Sequence, residues 1–97
     1  MEFTIEEFGL RFTTPDNPTV AEILLYDSKR IAMADAPIYL GMWEMAKTLI
    51  QEWECELMPD YKVELTKITD LRIARLVEQA GNAVLAWRLS LDKVSKN

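Results

Sequence analysis

Glu52, Glu54, Glu56 and Asp60 crowd the middle of the chain and are its densest set of chemically able side chains. On a helix, Glu52 and Glu56 would share one face at i,i+4 and could pair as acid and base. Oxygen ligation of a divalent cation would want a turn with Gly among such residues, and the stretch has none. Two uses remain. The carboxylates could meet a basic partner, or they could be solvated and offset by Lys62, Lys67, Arg72 and Arg75.

The rest of the composition argues against catalysis. The sequence has no His and one Cys. Without imidazole the commonest general base, the commonest metal ligand and any Ser–His or Cys–His pair are missing. A zinc site lacks ligands. Cys55, set between Glu54 and Glu56, reads as structural, and a single Cys carries no information about compartment. Three separated Gly residues form no phosphate loop. Arg72, Arg75, Arg88 and Lys67 are too sparse, on a chain of net charge −5, for nucleic-acid binding. The expectation is a non-enzyme with no cofactor and no metal.

Charge is unevenly spread. Residues 1–60 hold 12 acids and 4 bases, a net of −8; residues 61–97 hold 4 acids and 7 bases, a net of +3. Such a dipolar chain suits self-association or a partner of mixed charge, although the same charges could merely decorate solvated faces. No run approaches the roughly 18 apolar residues of a membrane span. The opening MEFTIEEF is acidic where a signal peptide is basic, so a cytoplasmic protein is expected.

The elements that must position these residues read as follows. Tyr39, Met42, Trp43, Ala46, Leu49, Ile50, Trp53 and Leu57 recur in steps of three and four, predicting a helix over 37–57. Asp35 is expected to cap it, with Pro37 in the first turn, and Pro59 stops it. The acids would then fall in its last turns, where they oppose the macrodipole. A capping box at Thr19-Val-Ala-Glu22 opens a helix over 18–33, with Val20, Ile23, Leu24 and Ile31 inward and Leu25 and Ala32 broadening that stripe. A third helix covers 70–92, capped by Thr69 or Asp70. Gly81-Asn82 could split it, and 83–91 also fits a strand's period of two.

Residues 1–17 read as an extended arm or strand. Phe8, Leu10 and Phe12 alternate, while Phe3 and Ile5 do so in the other parity, so Glu6–Glu7 needs a bulge or turn. Tyr61, Val63 and Leu65 could pair with Phe8–Phe12 in one short two-stranded ribbon. Residues 93–97 should fray. The fold class is thus a mainly α, single small domain of three amphipathic helices with an N-terminal extended segment.

Three Trp and five Met exceed what such helices enclose easily, so some should meet a subunit or partner. Trp43 and Trp53 lie about 80° apart around the predicted helix and flank its stripe. Trp53 is assigned to the core. Trp43, with Met42 and Met45 beside Gly41, is assigned to the contact. The partner-binding candidates are therefore Trp43, Met42, Met45, Glu52, Glu54, Glu56 and Asp60.

The order FTIEEFGLRF, PTVAEILLYDS and MWEMAKTLIQEWECELMPD resembles the tail assembly chaperones of tailed bacteriophages. The likeness covers most of the chain loosely, without a diagnostic motif. It implies a non-enzymatic protein that shields a hydrophobic partner during tail assembly, and it assigns no residue a role. A second expectation, from charge alone, is an acidic inhibitor whose Glu52, Glu54, Glu56 and Asp60 occupy a basic nucleic-acid site on a host or defence enzyme. Both expect a protein partner or homo-oligomer, with no nucleic acid and no membrane bound.

Overall fold

The computed structural model describes the backbone of residues 1–95 and the side chains as far as Asp92. Residues 96 and 97, part of the expected frayed tail, lie outside the described residues; residues 93–95 continue a helix. The architecture is mixed. Three helices pack with a three-stranded antiparallel sheet.

β1 (Glu2–Ile5) and β2 (Leu10–Thr13) form a hairpin in which Phe3 faces Phe12 and Ile5 faces Leu10. The parity change at Glu6–Glu7 is absorbed by a 3₁₀ turn over Glu6–Phe8, closed by Gly9 at φ +59. That left-handed conformation is one Gly adopts without strain. One face of the hairpin carries Phe3, Ile5, Leu10 and Phe12 towards the core. Phe3 stacks on Phe12 at 4.7 Å between ring centroids.

The third strand is not the Tyr61–Leu65 run, which forms loop and a 3₁₀ turn over Leu65–Lys67. It is β3 (Glu52–Glu54), paired with β2 so that Trp53 faces Phe12. The helix expected over 37–57 is therefore only α2 (Ile38–Lys47). Leu49 and Ile50 are buried, which draws the chain inward, and the Gln51 amide donates to the Thr13 carbonyl at 2.8 Å. Tertiary pairing outweighs the helical spacing there. The supposed clash between acids and a helix C-terminus disappears with it. At its other end α2 starts after Pro37, with no side-chain cap from Asp35.

α1 (Val20–Ala32) opens on the expected capping box. The Glu22 amide donates to Thr19 Oγ1 at 3.1 Å, and the Thr19 amide to Glu22 Oε1 at 2.9 Å. α3 (Arg72–Ser95) runs unbroken through Gly81 and Asn82, so 83–91 is helix. Gly81 is a close-approach site. A Cβ there would stand 3.3 Å from the Met42 backbone and Cβ. Its absence lets α2 lie against α3. Asp70 receives the Arg72 amide at 3.0 Å just before the helix begins.

The core joins all these elements. Leu10 and Phe12 of the sheet, Trp43 and Ala46 of α2, Leu49, and Leu76, Ala80 and Val84 of α3 are within 1% of complete burial, as is Tyr26 of α1. Trp53 stacks beside Phe12, meets Trp43 edge-on at 5.6 Å, and donates its indole N–H to the Met58 carbonyl at 2.6 Å. Tyr61 Oη donates to the Ile50 carbonyl at 3.2 Å. These two bonds hold the 55–64 loop to the body. Among the described residues, no helix is long and apolar enough to cross a membrane.

Candidate interaction surface

α1 is amphipathic in the reverse of the expected sense. Its inward side consists of buried Tyr26 with half-buried Ile23 and Met33 just beyond its end. Val20, Leu24, Leu25 and Ile31, expected inside, are 76, 61, 52 and 82% exposed. Ala21, Ser28 and Ala32 are exposed too. Together they cover an arc of about 140° without one charged residue. A solvent-facing helix side normally carries the charges. Here the charges sit at the edges and beneath.

One ion-paired cluster fixes this rotation. Arg88 of α3 donates to Asp27 of α1 through Nε at 3.2 Å and through a terminal nitrogen at 2.9 Å, and also to Asp92 at 3.0 Å. Its side chain is mostly buried, which makes the forked geometry worth more than a surface pair. Hydrogen bonding to Asp27 holds the guanidinium pKa above its ordinary value. Burial, chiefly, pushes the Tyr26 hydroxyl up to about 12, with Asp27 adding to the shift, because both disfavour the phenolate. Turning the apolar arc inward would sever the Asp27 pair and expose Tyr26.

Next to α1 lies a groove of about 430 Å³ between its C-terminal end, α2 and α3, lined by Arg30, Met33, Ile38, Met42, Met45 and Leu85. Met42 and Met45 thus line a surface concavity, Met42 half-buried and Met45 almost wholly so. Trp43 does not join them. It is 0% exposed, at the centre of the core, while Trp53 is half-buried. The contact role expected of Trp43 is thus overturned, while Trp53, on a sheet edge strand and not on the helix, packs against the core half-buried. The Trp43 indole nitrogen has no hydrogen-bond partner among the described residues.

The four acids are all exposed but do not make one helical patch. Glu52 and Glu54 are on the outer face of β3. Arg11 beside them bonds Glu2 at 3.0 Å, and Glu2 and Glu54 both raise the Arg11 pKa. Glu56 lines a cleft with Glu7, Arg72 and Arg75. Asp60 accepts the Lys62 amide at 2.9 Å within a turn. Three of the four bases expected to neutralise these acids pair elsewhere, Lys67 with Glu64, Arg72 with Asp70 and Arg75 with Glu7, and the fourth, Lys62, lies over the Tyr61 ring at 5.7 Å. Cys55 is buried, its thiol directed at the Phe8 carbonyl at 3.6 Å. Among the described residues no three Cys, Asp or Glu side chains gather as a metal site.

Sequence reasoning missed the α1 arc, although it had a signal. Apolar residues occur almost all round 20–33, and only one side of a helix on a small domain can be covered. Comparison of the chain with protein-family models, with curated proteins and with solved structures finds no match to any of them.

Proposed function

We propose that this chain is a non-catalytic protein-interaction module whose contact surface is the outward face of α1. The observation that carries the reading is the charge-free arc of Val20, Leu24, Leu25 and Ile31 held towards solvent by the Asp27–Arg88 pair. Contiguous exposed apolar surface of this kind marks interaction sites on soluble domains. The Met-lined groove beside it adds an adaptable margin of the type promiscuous binders use. Shielding a hydrophobic partner, the task implied by the resemblance to tail assembly chaperones, suits such a face. The inhibitor reading has less support, since its four acids are spread over a strand, a cleft and a turn.

The test is co-expression with an aggregation-prone hydrophobic tail protein. The wild-type chain is expected to hold the client in solution. A folded Leu24→Lys/Ile31→Lys variant is expected to leave it in the pellet. Equal protection by that variant removes α1 from the contact, and absence of protection by either chain removes the shielding role.

A further inference from the structure

The groove between the C-terminal end of α1, α2 and α3 joins an apolar wall to one cation without a partner. We infer that it binds an aliphatic carboxylate, the carboxylate on Arg30 and the hydrocarbon chain along Met33, Met42, Met45 and Leu85. The inference goes beyond the reading of α1's outward face and uses different residues.

Charge selects the head of the ligand. Arg30 is the one lining residue with a polar side chain. Arg11, Arg72, Arg75 and Arg88 each engage a carboxylate of this chain. Among the described residues, Arg30 has no such partner. The chain is acidic, with net charge −5, yet none of its own acids fills this place. Asp27, about one turn earlier on the helix, is held by Arg88. Asp35, in the connection to α2, does not line the groove. A guanidinium offers its N–H donors as a fork that fits a carboxylate with two parallel bonds. Beside apolar walls such a pair is screened less than in open water.

Size and texture select the body. The volume of about 430 Å³ falls within the roughly 300–1000 Å³ of single-ligand pockets, which recur between packed helices. Two turns of a helix, about 10 Å across and 11 Å long, occupy roughly 850 Å³. A partner helix would therefore rest on the rim without filling the groove. Met33, Met42 and Met45 supply unbranched, polarisable walls that adapt to a flexible chain. Met45 is buried and Met33, Met42 and Leu85 are half-buried, so the walls stand formed before anything binds. At the rim Ile38 is 71% exposed and offers further apolar surface to cover.

Calorimetric titration of the full chain at neutral pH tests this with octanoate, decanoate, 1-decanol and decyltrimethylammonium, each below its solubility and micelle limits. Decanoate is expected to occupy one site per chain. It should bind about 15-fold more tightly than octanoate, because each further buried methylene adds about fourfold. Decanol should bind about tenfold more weakly than decanoate, having no charge for the guanidinium, and the ammonium should not bind. Arg30→Gln should lower decanoate to the affinity of decanol and leave decanol unchanged, a split that a general loosening of the fold would not produce. Ala34→Trp fills the groove from an exposed lining position and should weaken both ligands about tenfold or more. Leu24→Gln/Ile31→Gln should bind decanoate as the wild type does. No binding, equal affinity for the three head groups, or an Arg30→Gln chain that keeps wild-type decanoate affinity overturns the inference. So does loss of binding in Leu24→Gln/Ile31→Gln, which would put the hydrocarbon on the outer face of α1 and not in the groove.

Discussion

α1 and α2 are neighbours of similar length, both rich in apolar residues, yet they spend those residues in opposite directions. α2 buries Gly41, Trp43, Met45 and Ala46. α1 buries Tyr26 alone. The difference is one of neighbours. α2 lies against α3, which Gly81 allows to come close, and its Trp43 meets Trp53 of the sheet. α1 packs chiefly on α2 and is tied to α3 through Arg88, so one side of it has no layer to meet. Apolar spacing therefore reports a buried stripe only where a second layer exists to cover it.

The largest expected effect is at the centre of the buried helix. Trp43→Ala should cost about 3–5 kcal/mol in denaturant unfolding, the usual range for a fully buried Trp. A cost near about 1 kcal/mol, at the centre of the range for substitutions in general, would mean that α2 is no more central than α1. Tyr26 is α1's own anchor and gives a pH signature. Its folded pKa, about 12, lies above the ordinary value of 10.0. Its contribution is therefore complete below the unfolded pKa and lost as pH rises through the folded one. Chemical denaturation across that window should show a Tyr26-dependent loss of stability as pH rises, absent in Tyr26→Phe. A slope unchanged by Tyr26→Phe would detach α1 from the body. Gly81→Leu should force α2 off α3 and destabilise by about 1–3 kcal/mol or more. Gly41→Ala has ordinary room, 3.5 Å from Met33 Cβ, and should be neutral or slightly stabilising. Comparable losses at both glycines would contradict the close approach assigned to Gly81 alone.

How far the sequence carried depended on where local and tertiary signals agreed. The Thr19–Glu22 box, the turn between the two parities of Phe3–Ile5 and Phe8–Phe12, and the long stripe of α3 are local and came through. The stretch 48–57 did not. Trp53, Cys55 and Leu57 alternate with Glu52, Glu54 and Glu56, a strand's period of two. The i,i+3/i+4 series running in from α2 masked that alternation. The candidate site suffered from the same limit. Met42 and Met45 do line a groove, but Trp43, assigned to the contact for its place beside Gly41 and these Met residues, turns to the opposite side of α2 and is buried. The α1 arc reads as core by its spacing, because nothing local says which side of a helix will be left bare.

The most direct test of the account is the stability of Leu24→Gln/Ile31→Gln. Both residues belong to an apolar stripe by spacing, and both stand in solvent. Denaturant unfolding of this variant at a concentration where the chain is monomeric is expected to fall within about 0.5 kcal/mol of wild type, as for exposed positions. A loss of about 3 kcal/mol or more, the scale of buried aliphatic residues, would contradict it, placing this face of α1 inside the monomer and leaving no surface there for a partner.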